Sequence, residues 1–143
     1  MTQERATPVM RLLIKVVLLI SLAGCEENSV SAFSAFLDQE FSLKVGQQAS
    51  VRGENLTITF RAVTEDSRCP EGAMCLWAGN GRIVVELRKE GSTATSAELN
   101  TYSEPKRVSY LDYQIHLKSL WPYPRVDARI DPSDYSATLV VTR

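Results

Sequence analysis

Val108-Ser109-Tyr110-Leu111-Asp112-Tyr113-Gln114-Ile115-His116-Leu117-Lys118-Ser119-Leu120 holds the longest alternation of apolar and polar residues in the chain. Leu111, Tyr113, Ile115 and Leu117 share one parity; Asp112, Gln114, His116 and Lys118 share the other. Successive side chains of a strand point to opposite faces, so a period of two predicts a strand with one dry and one wet face. A helix would repeat its apolar residues three and four positions apart. The stretch is therefore read as one long strand.

The same period recurs on both sides of it. Leu56, Ile58, Phe60 and Ala62 alternate with Thr57, Thr59 and Arg61, and Ile83, Val85 and Leu87 with Val84, Glu86 and Arg88. Phe41, Leu43 and Val45 alternate with Ser42 and Lys44, Ala49 and Val51 make a short strand, and Leu139 and Val141 close the chain. Thr93–Thr101, rich in Thr and Ala, suits an edge. Gly46-Gln47-Gln48, Gly53-Glu54-Asn55 and Glu90-Gly91-Ser92 punctuate the strands as turns. No amphipathic helix separates them, so βαβ units are not expected. About seven short strands predict an all-β domain over residues 36–143. The expected form is an antiparallel β-sandwich, immunoglobulin-like in general architecture, with a small β-barrel as the alternative.

The 143 residues amount to one domain, and 44% hydrophobic with 23% charged residues excludes a disordered chain. The charge is uneven. Without the first 24 residues, which hold Arg5, Arg11, Lys15 and Glu4, the 16 basic and 17 acidic residues fall to 13 and 16. A mildly acidic remainder offers no basic face for nucleic acid.

Residues 1–24 read as an export signal. Met1–Arg11 is polar and net basic, Leu12–Leu22 is mostly apolar, and small residues follow. The unbroken apolar run Val16–Ile20 is far shorter than the ~20 residues of a membrane-spanning helix. Leu22-Ala23-Gly24-Cys25 resembles the lipobox of bacterial lipoproteins. The resemblance implies that Cys25 receives a diacylglycerol, that a signal peptidase cuts before it, and that palmitate-type acyl chains moor the protein in a membrane. Each buried methylene adds about 0.8 kcal/mol to such an anchor. Glu26, where aspartate would favour inner-membrane retention, points to the outer membrane, facing the periplasm. Residues 25–35 read as a lipidated tether.

Asp66-Ser67-Arg68-Cys69-Pro70-Glu71-Gly72-Ala73-Met74-Cys75-Leu76-Trp77-Ala78-Gly79 is the most distinctive stretch. Two cysteines with five residues between them, in an oxidising compartment, predict a structural disulfide between Cys69 and Cys75, worth about 2 kcal/mol by loop entropy. The two-residue spacing and βαβ setting of a redox dithiol are missing. The pattern D-S-R-C-P-x-G-x-x-C-x-W-A-G is similar to one in a group of small exported bacterial proteins of uncharacterised function. That resemblance implies an exported β-domain and carries no activity.

Candidate binding residues come from two loops. Asp66 and Arg68 suit a ligand clamp, since a guanidinium offers a fork to carboxylates; the alternative is an Asx-type turn with Arg68 paired to Asp66 or in solvent. Trp77 either packs the disulfide onto the sandwich or serves as a binding aromatic. Trp121-Pro122-Tyr123-Pro124 is rigid and aromatic, and either caps the sandwich or forms a recognition edge through Trp121 and Tyr123. His116, the only histidine, has no nucleophile and acid placed beside it. Asp127, Asp131 and Asp134 lack the spacing of a calcium loop. No cofactor or metal is implied. The expected function is a non-enzymatic envelope lipoprotein, a binding module with an envelope protein or ligand as partner. An immunoglobulin-like inhibitor of an envelope protease and a hydrolytic enzyme are the alternatives.

Overall fold

The computed structural model describes residues 32–143, so Cys25, the export signal and most of the tether lie outside the described residues. Nine strands form: β1 (Ala32–Ala35), β2 (Glu40–Lys44), β3 (Gln48–Val51), β4 (Leu56–Asp66), β5 (Gly81–Lys89), β6 (Thr95–Asn100), β7 (Arg107–Tyr110), β8 (Tyr113–Trp121) and β9 (Ser136–Thr142). One sheet has the order β1-β3-β4-β5-β6 and the other β2-β9-β8-β7. The two open sheets make a β-sandwich, not a closed barrel. Consecutive strands are mostly neighbours, so each sheet is built around an antiparallel meander, with β1 parallel to β3 as the exception.

The alternation of the sequence becomes the core. Leu56, Ile58, Phe60, Ile83, Val85 and Leu87 from one sheet meet Leu43, Tyr113, Ile115, Leu139 and Val141 from the other, all buried. Their polar neighbours lie on the opposite face, partly or fully exposed except for Thr59, which is buried. β6 lies at a sheet edge, as its composition suggests. No helix among the described residues is long and apolar enough to cross a membrane.

Two strand readings need correction. The Val108–Leu120 alternation is a hairpin, with Tyr110 paired to Tyr113 and only Leu111 and Asp112 between them. Leu111 turns the chain with a φ of 54° and stands 61% exposed, on neither face of a strand. A two-residue turn leaves Tyr110 and Tyr113 both pointing inward, so the repeat of apolar residues continues through a reversal of the chain. Second, the domain begins before residue 36. Ala32–Ala35 form an edge strand held by main-chain pairing to β3, with Phe33 and Ser34 exposed and Ala35 buried at its end. Such a strand needs little apolar patterning and leaves little trace in composition.

The hairpin yields a prediction. A branched aliphatic residue in the left-handed region carries a steric cost that asparagine largely avoids. Leu111→Asn is therefore expected to stabilise the domain by about 1 kcal/mol, read as a higher urea midpoint. An unchanged or lower midpoint would contradict it.

Candidate functional site

β4, β6 and β8 all run toward the same end of the sandwich, and the segments 67–80, 101–106 and 122–135 follow them there. The opposite end carries the turns at Gly53, Gly91 and Leu111. β4 reaches its end through two bulges, between Phe60 and Ala62 and between Val63 and Glu65. Bulges bend a strand and increase its twist. The tip of β4 thereby meets the tip of β8 from the other sheet.

An ion pair joins them. Arg68 Nε donates to Asp66 Oδ1 at 2.7 Å and Nη2 to Asp66 Oδ2 at 2.6 Å. The same guanidinium donates through Nη1 to the carbonyl of Leu120 and through Nη2 to that of Pro122, the latter at 2.9 Å. The Tyr123 ring lies over it at 5.0 Å. Tyr135 Oη donates to Asp66 Oδ2 at 2.8 Å. Arg68 is only 6% exposed. A buried charge pair must be fully hydrogen-bonded to be tolerated, and here it is.

Of the two readings of Asp66 and Arg68, ligand clamp or turn with Arg68 paired to Asp66, the structure has the pairing. Their forks face each other, and they staple the cysteine loop to the Trp121–Pro124 loop. Tyr123 belongs to the same staple, its ring over Arg68 while the residue stays 37% exposed.

The pair sets a pH response. Burial on its own raises the Asp66 pKa, but the hydrogen bonds from Arg68 and Tyr135 and the charge of Arg68 outweigh it and hold the carboxyl below its usual value. A depressed folded-state pKa contributes stability that is complete above the ordinary carboxylate value of about 4 and is lost as pH falls below it. Wild-type protein should therefore lose urea resistance in that acid window, and Asp66→Asn should lack that part of the decline. Superimposable pH profiles would contradict this. Tyr135 acts at the other extreme: burial and Asp66 raise it to about 12. Its contribution is complete below about 10 and is lost between there and 12.

A second buried network lies beside the first. Asn80 Nδ2 donates to Asn100 Oδ1 at 2.8 Å, and Asn80 Oδ1 accepts from the backbone amides of Tyr102 and Ser103. Asn100 Nδ2 donates to the carbonyl of Pro105. Within the cysteine loop, Ser67 N donates to the Asn80 carbonyl at 2.7 Å and Cys69 N to that of Ala78 at 2.8 Å. Cys69 and Cys75 are disulfide-bonded, with their Cα atoms 5.9 Å apart. Glu71 N donates to the Pro124 carbonyl at 2.8 Å, and Val126 N to the Glu71 carbonyl at 3.2 Å. The loops are thus bonded to one another by their backbones.

What this scaffold leaves outside includes large apolar side chains, beside the exposed charges of Glu71, Arg125 and Asp127. Met74 and Leu76 are fully exposed or nearly so, Trp77 is 73% exposed, and Tyr102, Trp121 and Val126 are also exposed. Trp77 is therefore not packed between disulfide and sandwich; the ring of Cys69–Cys75 holds it outward. Trp121 ends β8 with its side chain on the wet face. Sequence reading had assigned no role to Met74, Leu76 or Val126. Large apolar residues inside a Gly- and Pro-containing loop, where no alternation can bury them, were the available signal.

The remaining candidates sit apart. His116 is half-buried on β8, its pKa lowered by burial and by the charges of Lys118, Arg107 and Lys106. Asp131 caps the short 3-10 turn Pro132–Asp134 by accepting from Ser133 N. Among the described residues, no group of His, Cys, Asp and Glu is arranged to hold a metal. A hollow of about 380 Å³ lined by Asn55, Thr57, Arg88, Lys89 and Glu90 lies at the opposite end.

No protein-family model, curated protein or solved structure matches this chain. Its function has to be read from its own surface.

Proposed function

We propose that this chain is a lipid-anchored envelope protein whose β-sandwich is a binding module, not an enzyme, and that its interaction surface is the loop end. One observation carries the proposal: exposed Met74, Leu76, Trp77, Trp121 and Val126 stand on one end, over loops tied together by buried polar networks. Contiguous exposed apolar surface marks sites of interaction. A rigid support lowers the entropy lost on binding. The charged groups beneath the surface satisfy one another, which suits a scaffold better than a reacting centre. The basic and apolar N-terminus with Leu22-Ala23-Gly24-Cys25 supports the anchor.

A photo-activatable residue in place of Met74 tests the surface in intact cells. It is expected to form envelope adducts, while the same residue in place of Leu111, exposed at the other end, forms none. Equal labelling at both positions would refute the assignment.

A second reading rests on Met74 itself, fully exposed within a disulfide-closed ring. Such a stiff loop would suit a protease cleft, as an immunoglobulin-like inhibitor would use it. It requires inhibition of at least one envelope protease at stoichiometric concentrations, and silence across a broad panel would dismiss it.

A further inference from the structure

The first residue of β1 is on the side of the sandwich that faces the apolar end. β4 runs toward the loop end, β3 is antiparallel to β4, and β1 is parallel to β3. β1 therefore runs away from the loop end, and Ala32 is the end of the strand that faces it. Ala32 pairs with Gln48, just past the β2–β3 turn, while Lys44, just before that turn, pairs with Ser136, which pairs with Trp121. Ala32 and Trp121 thus flank the same turn. Seven Cα–Cα steps separate Cys25 from Ala32. Fully extended they span at most about 25 Å. The sulfur of Cys25 therefore lies within that distance of Ala32, and an acyl group on it can reach the loop end.

Resting on the anchor proposed above, we infer that the occupant of the apolar surface is the bilayer that holds the Cys25 acyl chains. Met74, Leu76, Trp77, Trp121 and Val126 enter its headgroup region, so that the domain stands on its loop end. The side chains suit that place. Tryptophan has an apolar body and an N–H donor, and concentrates at the membrane–water boundary. The apolar tips meet acyl carbon there, and the loop backbone stays hydrogen-bonded through Cys69 to Ala78, Glu71 to Pro124 and Val126 to Glu71, which keeps polar groups from being stripped of partners at an apolar boundary. Tethering raises the local concentration of lipid surface around a patch that would bind it weakly alone.

Trp77 and Trp121 are the only tryptophans in the chain, so the protein carries its own reporters. Full-length protein purified with its native N-terminus is incorporated into phosphatidylethanolamine–phosphatidylglycerol vesicles, with and without bromine on the acyl chains. Trp77→Phe and Trp121→Phe separate the two signals. Each indole should shift to the blue and lose roughly half its emission in brominated vesicles, as expected a few ångströms below the headgroups. Met74→Ser/Leu76→Ser should restore most of the emission. Acylated, vesicle-bound protein whose indoles stay unquenched and open to aqueous iodide would overturn the inference while leaving the anchor intact, as would indoles shielded only when a partner protein is added. Protein that carries no acyl group on Cys25 would overturn the anchor and the inference together.

Discussion

Arg68→Ala is expected to remove about 3–5 kcal/mol of folding stability, the range for breaking a buried ion pair from one side. The side chain is 6% exposed and bonds Asp66 twice, the carbonyls of Leu120 and Pro122, and the face of Tyr123. Its removal leaves the Asp66 carboxylate buried with Tyr135 as its remaining side-chain donor. A domain of this size is held by roughly 5–15 kcal/mol in all, so the variant should sit near its unfolding threshold at ambient temperature. Arg68→Lys should recover only part of the loss, because an ammonium cannot reproduce the planar fork. Replacing both partners by apolar residues of similar volume should be milder than Arg68→Ala. Urea denaturation gives the comparison. A loss below about 1 kcal/mol, the level of an exposed pair, would show that the staple is not formed.

Gly79→Ala is the second large effect. Gly79 has a φ of 70°, and a Cβ there would lie 1.7 Å from the carbonyl oxygen of Ser67. The obstacle is backbone, in the segment that pairs Ser67 with Asn80 and Cys69 with Ala78. Left-handed strain and overpacking together should cost on the order of 3 kcal/mol or more. The loop should lose its closure, which faster proteolysis between Ser67 and Asn80 would reveal. Gly91→Ala is the control: its φ is 77°, with open space around the missing Cβ. It should cost only the conformational penalty of about 1 kcal/mol. Equal losses at the two positions would contradict the close approach at Gly79.

The fold was largely legible because a β-sandwich writes its core as period two. Leu56–Phe60 and Ile83–Leu87 place their apolar parity inside as expected, and the bulge after Phe60 takes Ala62 out of the pattern. What escaped was local. The Leu111–Asp112 reversal lacks Gly and Asn, the usual marks of a two-residue turn, so two strands looked like one. β1 escaped because main-chain pairing at an edge depends little on side-chain type. The two candidate loops stand out in the sequence as stretches, but their inner and outer residues are not separable there. Asp66 and Arg68 look like recognition residues because the forks that would bind a ligand also bind each other. Only the bulged approach of β4 to β8 shows that they point inward. Asn80, Asn100 and Tyr135 complete the buried networks from distant parts of the chain, and no local pattern links them.

The envelope anchor, and the membrane docking inferred from it, depend on a covalent bond at residue 25. Mass spectrometry of the protein extracted from the producing cell's membranes measures that bond directly. The expected species begins at a diacylglyceryl-modified Cys25 and yields a disulfide-linked Cys69–Cys75 peptide. A chain that retains Met1, carries no lipid and has all three thiols free would contradict the proposed anchor at its root.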